Sequence, residues 1–467
     1  MATDTSLQWG GRFAGAPDPA LIAFGSSLHD DLILAAFDVT CSRGHVTALR
    51  GGDLISDADA AALRAALDTV AGEIASGAFA TFARAGSFED VHGAIDARVR
   101  ELVDSEAGDS LHAGRSRNDQ VATTLLLYAR ARAARGRELT LTIAAALEGR
   151  ASAALASGAL LASTTHWQPA QPVLLAFWLD AGAQMFVRAA ARFAAVENAT
   201  TLLCPLGSGA VAGSALPLDR AAAAVELGFA GPTRNAMDAI GDRDIALDLL
   251  NAALRALVSA SRMSEEFVLW TTPAFGYARL GDAASTGSSL MPQKRNPDPF
   301  ELIRAAAARV NGAYAGALGT TTGIGLSYHR DLQETKSLII RGTEHALGAL
   351  DAFARAFDHL VFNEKTMTAR AGDGYTVATD LADAVIASGK TARFAHRAVG
   401  ERVLDAEQAG RPIDARDLAA LGVPDAPVDA RGSVIGKRTS GSTNPESVAR
   451  SIASTTAEIA ALAKLTE

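Results

Sequence analysis

Three long stretches of the chain repeat apolar residues at a spacing close to 3.6, the period of an α-helix. They cover residues 116–157, 242–272 and 330–363, and the first of them contains no proline. Patterns longer than about 25 residues without internal caps are typical of bundle helices. Several of these stretches are apolar on more than one face, as a helix surrounded by other helices must be. The pattern predicts a bundle of long helices that also buries faces against other subunits.

Shorter helical patterns with Gly and Pro punctuation lie on both sides of this central part. In residues 51–77, Ser56 or Asp57 is suited to be a helix N-cap, and glycines close both ends. The chain lacks the strand–helix alternation that would support a parallel sheet. We therefore expect an all-α fold with an N-terminal helical domain (residues 1–111), a central long-helix bundle (112–363) and a C-terminal helical domain (364–467).

The composition supports packed helices, since aromatic residues make up only 6% of the chain and Ala, Leu, Ile and Val supply most of the apolar surface. A net charge of -9 argues against nucleic acid or an anionic membrane as the main partner. Cys41 and Cys204, the only cysteines, form neither a disulfide framework nor a zinc site, which favours a reducing compartment.

The N-terminal residues lack the apolar core of a signal peptide. The most apolar long stretch, VLLAFWLDAGAQMFV, is broken by Asp180 and is shorter than a membrane span. We expect a soluble cytoplasmic protein.

The polar stretch LHAGRSRNDQ, residues 111–120, precedes the first long helix. Ser116 and Asp119 have the spacing of a capping box, so part of this stretch has a purely structural explanation. Arg115 and Arg117 are harder to explain by capping, because helix starts favour acids and anions. The stretch is therefore either a helix start or a prepared anion site.

The stretch STTHWQPAQP, residues 163–172, places His166 beside Thr165 and Gln168, next to prolines that we expect to start a helix. A lone histidine in such a place is more often a capping or packing residue than a catalytic one. The polar neighbours favour the catalytic interpretation, and both remain open at this point.

The stretch GSSLMPQKRNPDPFE, residues 287–301, interrupts the helical pattern. Asp298, Pro299 and Glu301 predict the N-cap, N1 and N3 positions of a helix, which explains the second half without any function. The serine pair and Lys294 are not explained in this way. A hydroxyl becomes a useful base only where its anion is stabilised, and backbone donors with a nearby cation provide that. Glu301 also has a second interpretation, as a carboxylate that orients an imidazole.

The stretch SYHRDLQETK, residues 327–336, opens another long helix. Tyr328, Arg330, Gln333 and Lys336 can face one site, because positions three apart share a helix face. A solvated, charged helix start is the alternative.

Signals for a cofactor or a metal are weak. PLGSGAVAG misses the dinucleotide fingerprint, and no phosphate-binding loop ends in Lys-Ser/Thr. No two histidines lie within four residues of each other, so no helical metal pair exists. We expect chemistry without a cofactor or a metal.

Residues 287–296, GSSLMPQKRN, resemble the signature of the fumarase/aspartase superfamily, and the chain is most similar to its argininosuccinate lyase branch. Five motifs in the same order carry the resemblance over essentially the whole chain: LQWGGRF, LHAGRSRNDQ, PLGSGAVAG, STGSSLMPQKRNPDPFELIR and DLQETK. The resemblance implies an all-α homotetramer with active sites built from three subunits. It also implies elimination of fumarate from argininosuccinate to give arginine, as in arginine biosynthesis.

The resemblance further implies roles for individual residues. Ser288 corresponds to the catalytic residue of a mobile loop, His166 to the other acid/base residue, and Glu301 to its orienting carboxylate. Lys294 is suited to stabilise the charge that develops on the substrate. The expected substrate contacts are Ser27, Arg115, Asn118, Thr165, Asn296, Tyr328, Gln333 and Lys336. Arg115 is included because it belongs to the expected anion site at residues 111–120.

The chain departs from the family's pattern at Thr164 and Pro169, where Tyr and Arg are usual, and this concerns the positioning of His166 rather than the reaction. Two alternatives stay open. One is another fumarate-releasing member such as adenylosuccinate lyase, fumarase or aspartase. The other is a catalytically silent structural homologue of the lens-crystallin type, against which the presence of the four expected catalytic residues argues.

Overall fold

The computed structural model describes residues 18–103 and 106–466, so the opening motif LQWGGRF, residues 7–13, lies outside the described residues. The helices in chain order are α1 (Pro19–Gly25), α2 (Leu28–Asp31), α3 (Ala35–Gly51), α4 (Asp57–Ser76), α5 (Ala78–Ala85), α6 (Val91–Leu102), α7 (Glu106–Ser110), α8 (Arg117–Ser157), α9 (Leu175–Ala199), α10 (Arg220–Glu226), α11 (Ala236–Gly241), α12 (Asp244–Trp270), α13 (Asp298–Thr321), α14 (Leu332–Asp358), α15 (Glu364–Arg370), α16 (Ala378–Ala387), α17 (Ala392–Gln408), α18 (Ala415–Leu421), α19 (Ala430–Gly436) and α20 (Pro445–Ala463).

Short strands form three small pairs within the described residues. The strands are β1 (Leu160–Thr165), β2 (Gln168–Leu174), β3 (Leu203–Cys204), β4 (Gly231–Pro232), β5 (Ala278–Leu280) and β6 (Leu360–Phe362). The pairs β1–β2 and β5–β6 are antiparallel, and β3–β4 is parallel. The predicted all-α long-helix fold is confirmed, with these pairs as minor additions.

The three long apolar patterns form the helices that they predict. Helix α8 has 41 residues, and α12 and α14 have 27 each. The predicted start of α4 is also confirmed, since Ser56 is the N-cap and forms a reciprocal capping box with Asp59. Gly77 ends this helix with a φ of 82°, a left-handed conformation that favours glycine.

The chain forms two compact units. The first comprises Met1–Arg137, Arg192–Arg255 and Ala306–Gly348, and the second comprises Glu138–Ala191, Ala256–Ala305 and Ala349–Glu467. The proposed division into three domains, at residues 111 and 363, stays a prediction.

The core of the first unit packs α3 and α10 against the beginning of α8. Cys41, Leu127, Cys204, Leu227 and Phe229 belong to one buried apolar cluster. A Cβ built at Gly44 would stand 2.7 Å from side-chain atoms of Leu227, so only glycine allows α3 and α10 to approach this closely. The two cysteines are free thiols in this core.

The second unit contains a large cluster of aromatic rings. The rings of Trp178 and Trp270 lie 4.6 Å apart between centroids, and those of Phe267 and Phe300 lie 5.0 Å apart. Phe353, Phe357 and Phe362 extend the same cluster, which ties the later parts of α12 and α14 to α9 and β6. Large buried rings compensate for the many alanines, since each ring removes much apolar surface from water.

A pair of buried carboxyl groups lies in the same unit. Asp180 on α9 accepts hydrogen bonds from Gln184 (2.9 Å), Ser451 (2.7 Å) and Thr455 (2.9 Å), the last two on α20. Glu148 on α8 is also buried, and its pKa rises to about 8 because of burial and the nearby Asp180 carboxylate. Glu148 therefore keeps its proton at neutral pH and can donate it to Asp180.

We expect Glu148→Gln to become progressively more stable than the unsubstituted protein as the pH rises. The unfolded chain releases the Glu148 proton near pH 4.5, whereas the native state holds it until about pH 8. The native state thus binds more protons in this window, and its stability falls as the pH rises through it. Gln keeps a donor to Asp180 without this loss.

Thermal unfolding at pH 5, 6.5 and 8.5 measures the effect. The Tm advantage of Glu148→Gln should grow by roughly 2–4 °C or more across this range. Glu138→Gln, at another glutamate of α8, is the control and should show no such growth. A pH-independent difference between Glu148→Gln and the unsubstituted protein would contradict the raised pKa of Glu148 in the native state.

Candidate active site

The start of α8 organises one wall of the candidate site, in the first unit. Ser116 accepts a hydrogen bond from the Asn118 N–H (3.2 Å), and Asp119 accepts one from the Ser116 N–H (3.0 Å), so the expected capping interaction is present. The other oxygen of Asp119 accepts from the N–H groups of Gly207 (2.8 Å) and Gly209 (2.9 Å). One buried carboxylate thereby holds the PLGSGAVAG loop against the helix start.

The two arginines of this stretch have different surroundings. Arg115 is buried, and its guanidinium donates to the Ser42 hydroxyl at 3.0 Å. Arg117 instead lines a cavity, where it pairs with Asp90 at 2.9 Å and donates to Gln120 at 2.8 Å. The substrate contact proposed for Arg115 stays a prediction, and Arg117 is the arginine of this motif that reaches the cavity wall.

The cavity has a volume of about 480 Å³ and is lined entirely by residues of the first unit. Asn118, Tyr328, Gln333 and Lys336, four of the predicted substrate contacts, line it. Its wall mixes cations with acids: Arg117, Arg243 and Arg330 lie alongside Glu89 and Asp90. Such a lining suits a small polar molecule that carries charges of both signs.

Lys336 forms a buried ion pair beside this cavity. Its ammonium lies 2.8 Å from the Asp31 carboxylate and 3.3 Å from the Ser27 hydroxyl, which in turn donates to Asp31 at 2.5 Å. Asp31 is fully buried and Lys336 nearly so. Ser27, a predicted substrate contact, is thus fixed next to Lys336. The sequence analysis did not find Asp31, although it follows Ser27 by one helical turn.

The segment before α14 completes the cavity wall. Arg330 and Gln333 both donate to the carbonyl oxygen of Gly25, at 2.7 and 3.0 Å, and Arg330 pairs with Glu89 at 2.6 Å. Burial raises the pKa of Tyr328 against the neighbouring charges of Arg330 and Arg243, so its hydroxyl remains a neutral donor. The expectation that Gln333 and Lys336 share one helix face towards one site agrees with the cavity lining.

In the second unit, His166 lies at the tip of the β1–β2 hairpin. Thr165 pairs with Gln168, so His166 and Trp167 form the two-residue turn, with φ of 56° and 60°. Two consecutive left-handed residues define a type I′ turn, which usually carries Asn-Gly. Both side chains of this turn are exposed.

The prolines after His166 do not start a helix, as the sequence analysis expected. Pro169 and Pro172 lie within β2, and the next helix, α9, begins only at Leu175. Proline fits a strand where its missing N–H is not needed by the neighbouring strand. Pro169 pairs with Thr164, so the two positions that depart from the family's pattern face each other across the hairpin.

The GSSLMPQKRN stretch forms a loop that is closed at its base. Thr286 and Asn296 exchange backbone hydrogen bonds of 3.2 and 2.9 Å in an isolated antiparallel bridge. Inside the loop, the Ser288 hydroxyl oxygen accepts from the N–H groups of Leu290 (3.3 Å) and Met291 (3.1 Å). Lys294 is exposed, and the Asn296 amide donates to the Gly287 carbonyl at 3.3 Å.

The helix that follows the loop begins one residue earlier than predicted. Asp298, expected as N-cap, is the first residue of α13, and its carboxylate accepts a hydrogen bond of 2.5 Å from Thr286 instead of capping the helix. Pro297 precedes the helix, and its carbonyl accepts the Phe300 N–H at 3.0 Å. Glu301 is therefore the fourth helical residue, half-exposed, with Arg304 at 3.9 Å.

A family model described as Lyase matches residues 11–312. A protein named argininosuccinate lyase from Leifsonia xyli subsp. xyli is 39% identical over 469 residues, covering 99% of this chain and 98% of that protein. Another of that name from Anaeromyxobacter sp. (strain K) is 44% identical over 400 residues, covering 86% of this chain and 84% of that protein. The chain belongs to the argininosuccinate lyase family.

Solved structures agree with this placement. The EDDS lyase in complex with formate matches this argininosuccinate lyase family member with a TM-score of 0.79 and 25% identity, over 97% of this chain and 93% of that one. Class II fumarase from Schistosoma mansoni matches with a TM-score of 0.71 and 17% identity, over 89% and 93% of the two chains, which shows the fold alone.

The residues expected to act in an argininosuccinate lyase divide between the two units. The first unit holds six of the predicted contacts: Ser27, Arg115, Asn118, Tyr328, Gln333 and Lys336. The second holds the other six predicted residues: Thr165, His166, Ser288, Lys294, Asn296 and Glu301. Sequence reasoning missed Asp31, Asp90 and Arg243, none of which has a motif of its own that would mark it.

Proposed function

We propose that this enzyme eliminates fumarate from argininosuccinate and releases arginine, by general acid–base catalysis without a cofactor. The proposal rests on one observation above all, the near full-length identity of 39% to a protein named argininosuccinate lyase. The first-unit cavity supports it, because argininosuccinate carries carboxylates, an ammonium and a guanidinium, and the wall offers both cations and acids for them.

The elimination needs a base for a weakly acidic C–H next to a carboxylate, and Ser288 is our candidate. Two backbone N–H groups point at its hydroxyl oxygen, at 3.3 and 3.1 Å, and would stabilise the alkoxide. Lys294 lies on the same loop and would add positive charge where the dianionic intermediate forms. Taking the proton breaks the C–H bond, and the electron pair moves into the carboxylate-stabilised enolate.

The second step breaks the bond from carbon to the guanidinium nitrogen of the substrate. The electron pair of that bond leaves with arginine, so a proton donor near the nitrogen assists the departure. His166 is our candidate for this acid/base role, and Glu301 is proposed to orient it. Thr165 and Asn296 are proposed to hold the succinyl part, next to these groups in the sequence.

We further propose a homotetramer with active sites shared between subunits, as the family resemblance implies. The resemblance carries this part of the proposal. A cytoplasmic location is part of the same proposal.

Two stretches, Pro19–Gly51 and Arg117–Ser157, are long and apolar enough to pass a length-and-composition test for membrane spans. The first is divided among α1, α2 and α3. The second is α8, which contains the buried charged residues Arg137 and Glu148. The buried charges give α8 an ordinary explanation as a helix of the folded core, and the first stretch is not one continuous helix.

The ultraviolet absorbance of released fumarate tests the reaction. Argininosuccinate is added to the purified protein, with adenylosuccinate, malate and aspartate in parallel. A rise with argininosuccinate alone is the expected result. A rise with adenylosuccinate, malate or aspartate instead would move the protein to another branch of the superfamily. No rise with any of the four, in a folded oligomer, would support the silent structural homologue.

A further inference from the structure

The base of the His166 hairpin is held by two threonine hydroxyls from the C-terminal part of the chain. Leu160 and Leu174 face each other at this base, and both are buried. The Leu160 N–H donates to the Thr368 hydroxyl at 3.0 Å, and the Leu174 N–H donates to the Thr443 hydroxyl at 2.8 Å. Thr368 belongs to α15 and Thr443 to the loop before α20.

Strand pairing cannot satisfy these two N–H groups. The Leu175 N–H donates to the Ala159 carbonyl at 2.9 Å, so the next pair, Leu160 and Leu174, is a non-hydrogen-bonded pair. The N–H groups of such a pair point away from the partner strand. Buried N–H groups need a partner, and at each edge of the hairpin that partner is one hydroxyl.

The prolines of β2 make the bond between Leu174 and Thr443 more important for holding this strand. Outward-pointing N–H groups recur at every second residue, and the next such position towards the tip is Pro172, which has no N–H. Leu174 is therefore the residue of this stretch that can donate outwards. Nearer the tip, the ring of Pro169 lies close to Gly374. A Cβ added at Gly374 would lie 3.5 Å from the Cβ of Pro169.

The turn itself is a poor anchor for the hairpin. A two-residue turn normally fixes the register of its strands, but type I′ geometry is favourable for Asn-Gly and costly for His-Trp. A register slip of one residue would turn every side chain of the hairpin to the opposite face. The pairing also shifts register once, between Ala162 and Thr164, so the turn does not by itself fix the pairing at the base. The two threonine bonds are contacts that can hold the strands there.

We propose that Thr443 and Thr368 are positioning residues for His166, acting through the hairpin that carries it. The inference rests on the proposed function, since it gives the C-terminal part of the chain a role in the acid/base step. Loss of either hydroxyl leaves a buried N–H without a partner and lets the strands shift. The imidazole at the tip then samples other positions, and small displacements of a catalytic group cost much rate.

The test compares Thr443→Val, which removes only the acceptor, with Thr443→Ser, which keeps it. The matched control is Thr455→Val on α20, a buried threonine whose hydroxyl binds Asp180 rather than the hairpin. We expect Thr443→Val to lower kcat about 10- to 100-fold with KM within about twofold. Thr443→Ser should restore kcat, and Thr455→Val should lower Tm while leaving kcat close to normal.

Hydrogen exchange of the peptide covering residues 159–175 supplies a second readout. Thr443→Val should speed exchange in this peptide, and Thr455→Val should not. Faster exchange with an unchanged kcat in Thr443→Val would overturn the inference. Equal losses of kcat in Thr443→Val and Thr455→Val would also overturn it. Thr368→Val, at the opposite edge, repeats the test if Thr443→Val does not fold.

His166→Asn separates this inference from the proposed function. If His166→Asn keeps normal turnover, the proposed role of His166 fails and the positioning inference fails with it. If His166→Asn loses turnover while Thr443→Val and Thr368→Val keep it, only the positioning inference fails.

Discussion

Ser288→Ala is expected to lower kcat for fumarate release by about 10³-fold, within the range of about 10²–10⁴ typical of a general base. The reason is the local geometry of the loop, where the Leu290 and Met291 N–H groups converge on the Ser288 oxygen. These donors favour the charged form of the hydroxyl, and alanine offers no atom that can take the substrate proton. Substrate binding loses little, so KM should change much less than kcat.

Steady-state absorbance at saturating argininosuccinate measures this effect. Ser289→Ala is the matched control, because Ser289 is the exposed neighbour in the same loop and the same change there should affect kcat far less. Circular dichroism confirms that both variants are folded. Near-normal turnover of Ser288→Ala would remove this residue as the base.

His166→Asn is expected to lower kcat by about 10²-fold or more, the usual contribution of a positioned acid/base group. Asparagine suits the test because it tolerates the left-handed conformation that His166 adopts, with φ of 56°. The hairpin should therefore keep its turn while losing the imidazole. A larger replacement would confuse loss of chemistry with loss of the turn.

The control for His166→Asn is His396→Asn, at an exposed histidine on α17. It should leave kcat unchanged. Hydrogen exchange in the hairpin should be equal to or slower than normal in His166→Asn, since the new turn residue is more favourable. A kcat within threefold of normal, on the order of 0.6 kcal/mol, would show that His166 does not carry the acid/base step.

The long helices were predictable because their signal is local and repeated. Residues 116–157 predicted a helix that the structure places at Arg117–Ser157, and the capping residues Ser116 and Ser56 marked helix starts correctly. Each of these predictions needs only the spacing of neighbouring residues, which one sequence contains in full.

The hairpin was missed because its residues gave the wrong local signal. Proline next to an apolar run usually opens a helix, and His-Trp is not a turn sequence that predicts a hairpin. The base of the hairpin is held by Thr368 and Thr443, which lie about 200 and 270 positions away from their partners. Spacing within a segment contains no information about such distant bonds.

Part of the cavity wall was predictable because its residues are close together in the sequence. Tyr328, Gln333 and Lys336 stand in one motif, and the structure places all three in one cavity wall. Asp31 lies 305 positions from Lys336 in the sequence, and only folding brings the two charges to 2.8 Å. The sequence likewise does not predict that Glu148 and Asp180 are close together, because they lie on different helices, α8 and α9, and are buried only in the folded chain.

The bridge between Thr286 and Asn296 has a thermodynamic consequence for substrate binding. Joining the two ends of a flexible segment costs conformational entropy that grows with its length. In this enzyme that closure is completed during folding, so under the proposed role of the loop a ligand would have only residues 287–295 to order. Ordering the loop would therefore oppose substrate binding less than ordering an open loop of the same sequence.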